Sequence, residues 1–213
     1  MGGRKRNGRE MRRMSNALRR RKKPQFYTAK ETRQINQNEF ERHNAASLVT
    51  KAYKDFVVVG YIILHDKFGF GQKRLARLEC TVNKWLESAL DDKEMSGRSL
   101  AGKLNQKYKI DVNAEVNRVP QRQLMVLYAQ KGRVIEREAY RLSGSAMYNY
   151  FALTLTALKT QFKLTVKQLH EFVDKFIDYI DTLSNFSQYA LTVPMIADSL
   201  AEEIGFVCDL ERR

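Results

Sequence analysis

The chain has 213 residues, 43% of them apolar, with only three prolines and eleven glycines, so it can bury a core and is too sparsely punctuated for a sheet sandwich. Its two cysteines, Cys80 and Cys208, exclude a disulfide framework and stand without metal-ligand company, which fits a reducing cytosolic setting. The formal charge of +14 is unevenly placed: residues 1–23 hold eleven Lys/Arg against Glu10 alone, residues 24–145 hold 21 basic and 14 acidic groups, and residues 146–213 hold six and nine.

Residues 1–25 offer almost no apolar surface to bury and are expected to be disordered alone, or to fold on a partner. Their cations are Arg4, Lys5, Arg6, Arg9, Arg12, Arg13, Arg19, Arg20, Arg21, Lys22 and Lys23. As a helix, the arm would set Arg9, Arg12, Arg13, Asn16, Arg20 and Lys23 near one face. Guanidinium groups pair bidentately with phosphate, so such a stripe suits an RNA hairpin or a run of DNA phosphates. Nucleic-acid contact is the favoured reading. A solvated tail, a general polyanion anchor and, in a eukaryotic source, a nuclear-import signal are the alternatives. No apolar h-region follows the basic start, so no signal peptide is expected, and Arg6 breaks the myristoylation pattern that Met1-Gly2 begins.

Pro24 ends the arm, and Thr28-Ala-Lys-Glu31 reads as a capping box opening a helix. That helix is polar over Gln34–Asn44, hence exposed, and continues into Ala45–Asp66, where Leu48, Val49, Ala52, Phe56 and Val59 recur at helical intervals. The run Phe56–Leu64 is rich in β-branched residues, but the helical period leads into it, and its all-round apolarity predicts a central buried helix. Its nine residues fall far short of the roughly 18–20 that a membrane span needs.

Phe68-Gly-Phe-Gly71 predicts a turn, and Leu75, Leu78, Val82, Trp85 and Leu86 form the apolar stripe of the helix after it. Lys73, Arg74, Arg77 and Lys84 lie off that stripe, as an extension of a nucleic-acid surface or as a solvated face. Phe70 reads as a core anchor before a base-stacking group. Ser96 or Ser99 caps a short helix carrying Leu100, Leu104 and Tyr108, and residues 109–119 read as a connector. Pro120 opens a helix reaching to about Leu142, weakened at Gly132, where a kink or break is expected, and Ser143-Gly144-Ser145 is the best hinge.

A second unit opens at Ala146 with a helix to about Thr160. Thr165-Val-Lys-Gln168 is a capping box for the next, and Thr192 caps a last helix that has Pro194 in its first turn and Gly205 at its stop. The predicted fold is therefore all-α: an arm (1–25), a helical unit with a connector helix (26–143) and a C-terminal helical unit (144–213), sharing one core or hinged near Gly144. Tyr150–Ile180 echoes Phe56–Leu86 at an offset of 94, pairing Phe68, Lys73, Leu75 and Trp85 with Phe162, Lys167, Leu169 and Tyr179. The order of parts points to an internal duplication, against the alternative that any two amphipathic helices can be slid into register.

No catalytic motif, cofactor fingerprint or metal-ligand spacing is present. His43, His65 and His170 lack partners at ligand spacing, and the adjacent His65-Asp66 is not expected to face one ion from a helix. The segment LHDKFGFGQKRL (Leu64–Leu75) resembles one found in small helical proteins of bacteriophages and mobile elements of Gram-positive bacteria. The resemblance implies a mobile-element accessory protein, with no catalytic residues and no established activity to carry over; the expected location is the cytoplasm of a bacterial host cell, or the nucleus in a eukaryotic source. The expected function is non-enzymatic binding of RNA or DNA, within a nucleoprotein complex, through the eleven arm cations with Lys73, Arg74 and Arg77 in support. The competing classes are an inhibitor or assembly factor that docks a host protein through its helical body, and a virion structural protein whose arm condenses the genome.

Overall fold

The computed structural model describes residues 29–89, 92–129, 134–208 and 210; the arm and the proposed cap at Thr28 lie outside them. The protein is all-α, as its composition predicts. The described residues form nine α-helices: α1 (Ala29–Phe68), α2 (Gln72–Ser88), α3 (Gly97–Tyr108), α4 (Val112–Asn117), α5 (Gln121–Tyr128), α6 (Glu136–Thr160), α7 (Val166–Ser184), α8 (Phe186–Tyr189) and α9 (Val193–Ile204), with a 3-10 turn at Lys93–Met95. None of them is long and apolar enough to cross a membrane.

Contacts divide the chain into residues 1–41 and residues 42–213. In the first unit, Gln34, Gln37, Glu39, Phe40 and Glu41 are all exposed, and Gln37 Nε2 donates to Glu41 Oε1 at 3.1 Å. This is the polar, unpacked helix that the sequence predicts.

In the second unit, Val58–Leu64 is buried without interruption, so β-branched residues that disfavour an isolated helix are held helical by burial. The other continuously buried run is Tyr150–Leu158 of α6. Helices α2, α3, α4, α5 and α7 all pack on α6, and α7 also packs on α5. Aromatic rings fill the centre: Phe176 lies 5.0 Å from Phe151, 5.5 Å from Tyr150 and 5.8 Å from Phe56. Gly60 leaves room for the Tyr150 side chain of α6, since a Cβ there would lie 1.7 Å from Tyr150 Oη. That hydroxyl has no hydrogen-bond partner; Thr154 approaches it without completing a bond.

Three expectations are corrected. Ser143-Gly144-Ser145 is no hinge but the interior of α6, where Ser143 is buried and its hydroxyl donates to Ala139 O at 2.7 Å. One glycine weakens a helix by only about 1 kcal/mol, and burial of Leu142, Ala146 and Met147 around it outweighs that. Of the two arrangements expected, a shared core therefore holds. The helix expected from Pro120 to Leu142, with a kink or break at Gly132, divides into α5 ending at Tyr128 and α6 starting at Glu136, and α6 runs on past Leu142 to Thr160. The connector at 109–119 contains α4, whose N-cap Asp111 accepts from the N–H groups of Asn113 and Ala114.

The caps recur. Gly69 (φ 63°) and Lys163 (φ 60°) both take left-handed conformations, and the next N–H closes back six residues: Phe70 onto Leu64 O at 3.0 Å, Leu164 onto Leu158 O at 3.2 Å. Helices α3 and α9 match likewise, 96 residues apart. Ser96 and Thr192 cap their starts, Lys109 and Gly205 turn left-handed at their ends, and Ile110 and Phe206 close onto Leu104 and Leu200. Where α9 uses glycine, α3 uses a lysine, whose Cβ is unfavourable at φ 60°. Lys109→Gly is therefore expected to stabilise the protein by about 0.5–1 kcal/mol, net of the added freedom of the unfolded chain, and to raise the urea midpoint. A lower midpoint would show that the lysine side chain stabilises this end by more than its strain costs.

Candidate nucleic-acid interface

The two recurrent caps place two turns side by side, with the rings of Phe70 and Phe162 5.0 Å apart. A groove of about 460 Å³ runs between them, where Lys67, Arg74 and Lys163 stand beside Phe68, Phe70 and Phe162, and no carboxylate among the described residues lines it. The Arg74 guanidinium lies 5.4 Å from the Phe70 ring centroid and that of Arg77 5.7 Å from Phe162. Resting on ring faces, the two guanidinium groups are held in place while their N–H forks stay available.

Lys67, Lys73, Arg74, Arg77, Lys163 and Lys167 are all exposed, and none makes an ion pair among the described residues. Elsewhere, Lys51, Lys103, Arg118, Arg141 and Lys175 are each matched to a carboxylate. Unbalanced like charges around one groove repel, and a polyanion relieves that repulsion.

The backbone adds to the field. Helix α2 starts at Gly71 with no side-chain cap and no acid in its first turn; the Arg74 N–H turns back onto Gly71 O at 3.0 Å, and those of Gln72 and Lys73 are left without a side-chain cap at the positive end of the helix dipole. Helix α7 differs, because Thr165 and Gln168 form the capping box that the sequence predicts. Of the two turns, the first is therefore the one equipped for a phosphate, with Lys73 and Arg74 beside the open helix end.

The expected site residues divide accordingly. Lys73, Arg74 and Arg77 are exposed on α2, and the structure brings Arg74 and Arg77 to the paired turns; the eleven arm cations lie outside the described residues. Phe70 is only 2% exposed and serves the core, as expected. Lys67 and Lys163 were missed, because only the pairing of two turns 94 residues apart puts them on one groove. For Lys167, the sequence echo with Lys73 was the available signal.

His65 and Asp66, neighbours not expected to face one point from a helix, do converge with a third residue. The end of α9 comes against the end of α1, Gln72 Nε2 donating to Gly205 O at 2.9 Å, and the donor atoms of His65, Asp66 and Glu203 then lie within 4.8 Å of one another. Adjacent residues on a helix diverge, but a last-turn histidine and the flexible carboxylates beside it can converge when a third element supplies the partner.

Compared with family models, curated proteins and solved structures, the chain matches none. The functional reading therefore rests on its own residues.

Proposed function

We propose that the protein is a non-enzymatic nucleic-acid-binding accessory protein acting on a nucleoprotein complex in the cytoplasm of its host cell. The polycationic arm would supply most of the phosphate neutralisation, and the groove between the paired turns a second contact. The observation that carries the reading is the group Lys67, Arg74, Arg77 and Lys163, without ion pairs among the described residues and gathered at the paired turns, with Arg74 and Arg77 set against aromatic rings. Replacing Lys67, Arg74, Arg77 and Lys163 together by alanine in the full chain is expected to weaken binding to a labelled duplex or RNA hairpin about tenfold or more near 0.1 M salt. The log–log salt slope should fall by roughly 2–4, about 0.9 per lost contact on duplex DNA. An unchanged slope would remove the groove from the interface. Recovery of a single protein partner after nuclease digestion would instead favour an inhibitor or assembly factor docking through the helical body.

The recurrent caps support a further reading, that the two helical hairpins descend from one. Relatives whose two halves are no more alike than unrelated hairpins would sink it.

A further inference from the structure

We propose that His65, Asp66 and Glu203 form a binding site for a divalent transition-metal cation, Zn²⁺ being the best match to one imidazole nitrogen and two carboxylate oxygens. His65 Nδ1 lies 3.1 Å from the carbonyl oxygen of Phe70, which can only accept, so Nδ1 carries the proton. The neutral ring then presents a lone pair at Nε2, and that atom is 3.1 Å from Glu203 Oε2, a carboxylate oxygen that also only accepts. Two acceptors at that distance need something positive between them, either a second ring proton or a cation.

Asp66 makes the cation the fuller solution. Its carboxylate brings a second negative group to the same place, and that carboxylate is itself anchored, since Tyr179 Oη donates to Asp66 Oδ2 at 3.3 Å. The outer partners are those that metal sites use: a ligating histidine donating its far N–H to a backbone carbonyl, and a ligating carboxylate accepting a hydrogen bond from behind. The Phe70 carbonyl sits in the turn that the left-handed Gly69 closes, and the Gln72–Gly205 bond docks the end of α9 beside it. The His65 side chain is 23% exposed and that of Glu203 55%, so the carboxylate can swing the short way to a metal–oxygen distance while the ring stays put. Three protein ligands leave a position for water, and the bound ion would tie the end of α1 to the end of α9.

The test uses the full-length chain stripped with chelator and titrated with ZnCl₂, with CoCl₂ as a spectroscopic probe and MgCl₂ as a hard-cation control. Saturating Zn²⁺ is expected to raise Tm by on the order of 5 °C, as a ligand at a hundredfold excess over its Kd does for a domain of this size. Co²⁺ should give a visible absorption band at one equivalent. Glu203→Gln and Asp66→Asn should each lose both signals. His170→Ala should keep both, because that ring makes the comparable contact with Glu115, at 3.1 Å, without a third ligand. No saturable shift with either transition metal would overturn the proposal and leave the contact to a shared proton. An equal shift in Glu203→Gln would overturn it too, by placing the ion elsewhere.

Discussion

Removing residues 1–23 is expected to cost about 10³-fold in affinity for duplex DNA or an RNA hairpin near 0.1 M salt, the largest effect of any single change proposed. The segment holds eleven Lys/Arg against one acid, which is 11 of the protein's 38 basic residues in about a tenth of its length. Each phosphate neutralised releases condensed counterion and contributes about 0.9 to the slope of log affinity against log salt on duplex DNA, and about 0.7 on single strands. If most of the arm's cations engage, the slope should fall by roughly 6–9 on truncation, leaving the slope of roughly 2–4 that the groove residues provide. Titrations of labelled nucleic acid at four or five salt concentrations separate the two contributions. A truncated chain with the same affinity and slope would show that the arm is a solvated tail and that the helical body carries whatever binding there is.

The second large effect lies in the core. Gly60→Ala is expected to destabilise the protein by about 2 kcal/mol, although in an exposed helix the same change would stabilise by up to about 1. The added methyl group would meet Tyr150 Oη at 1.7 Å and Tyr150 Cζ at 2.9 Å. The ring cannot step aside, because Tyr53, Phe56, Phe151 and Phe176 pack around it with centroids between 5.5 and 6.4 Å away. Tyr150→Phe supplies the decisive partner. It removes a buried hydroxyl that has no hydrogen-bond partner, so alone it should be neutral or stabilising by about 1 kcal/mol. In the double variant it should recover at least about 1 kcal/mol of the alanine's cost, since the nearest obstacle recedes to the ring edge. Urea denaturation of the four proteins closes the cycle. Additive effects would mean that the two helices yield at this crossing and that the close approach is not a constraint.

These two predictions draw on different levels of the protein. The first needs only the sequence, because a polycation's attraction to phosphate depends on how many charges are gathered and hardly on how they are held. The second needs the tertiary structure: nothing in the sequence around Gly60 says that a tyrosine ninety residues on will press its hydroxyl there.

The same division runs through the fold. Local signals were enough to read the all-α class, the capping box at Thr165–Gln168, the Thr192 cap with Pro194 and Gly205, and the buried character of Val58–Leu64, because hydrogen-bonded caps and helical periodicity act over a few residues. Ser143-Gly144-Ser145 misled for the complementary reason. Its residues favour a break in isolation, and five helices packing on α6 overrule them. Asp111 capping α4 was legible as an Asp before a helix-compatible run, but six residues carry too little periodicity to stand out from a connector.

The candidate interface divides the same way. Arg74 and Arg77 could be picked out because they lie off an apolar stripe on one helix. Their placement over Phe70 and Phe162, the arrival of Lys67 and Lys163 on the same groove, and the meeting of His65 and Asp66 with Glu203 were decided by long-range packing. The sequence by itself determined the all-α class, most of the longer helices and their caps, and the charge that gathers at the arm. The tertiary structure decided which helix ends meet, since that depends on how the side chains of α1, α6 and α7 interlock around Phe176, and packing of that kind leaves no periodic trace in the chain.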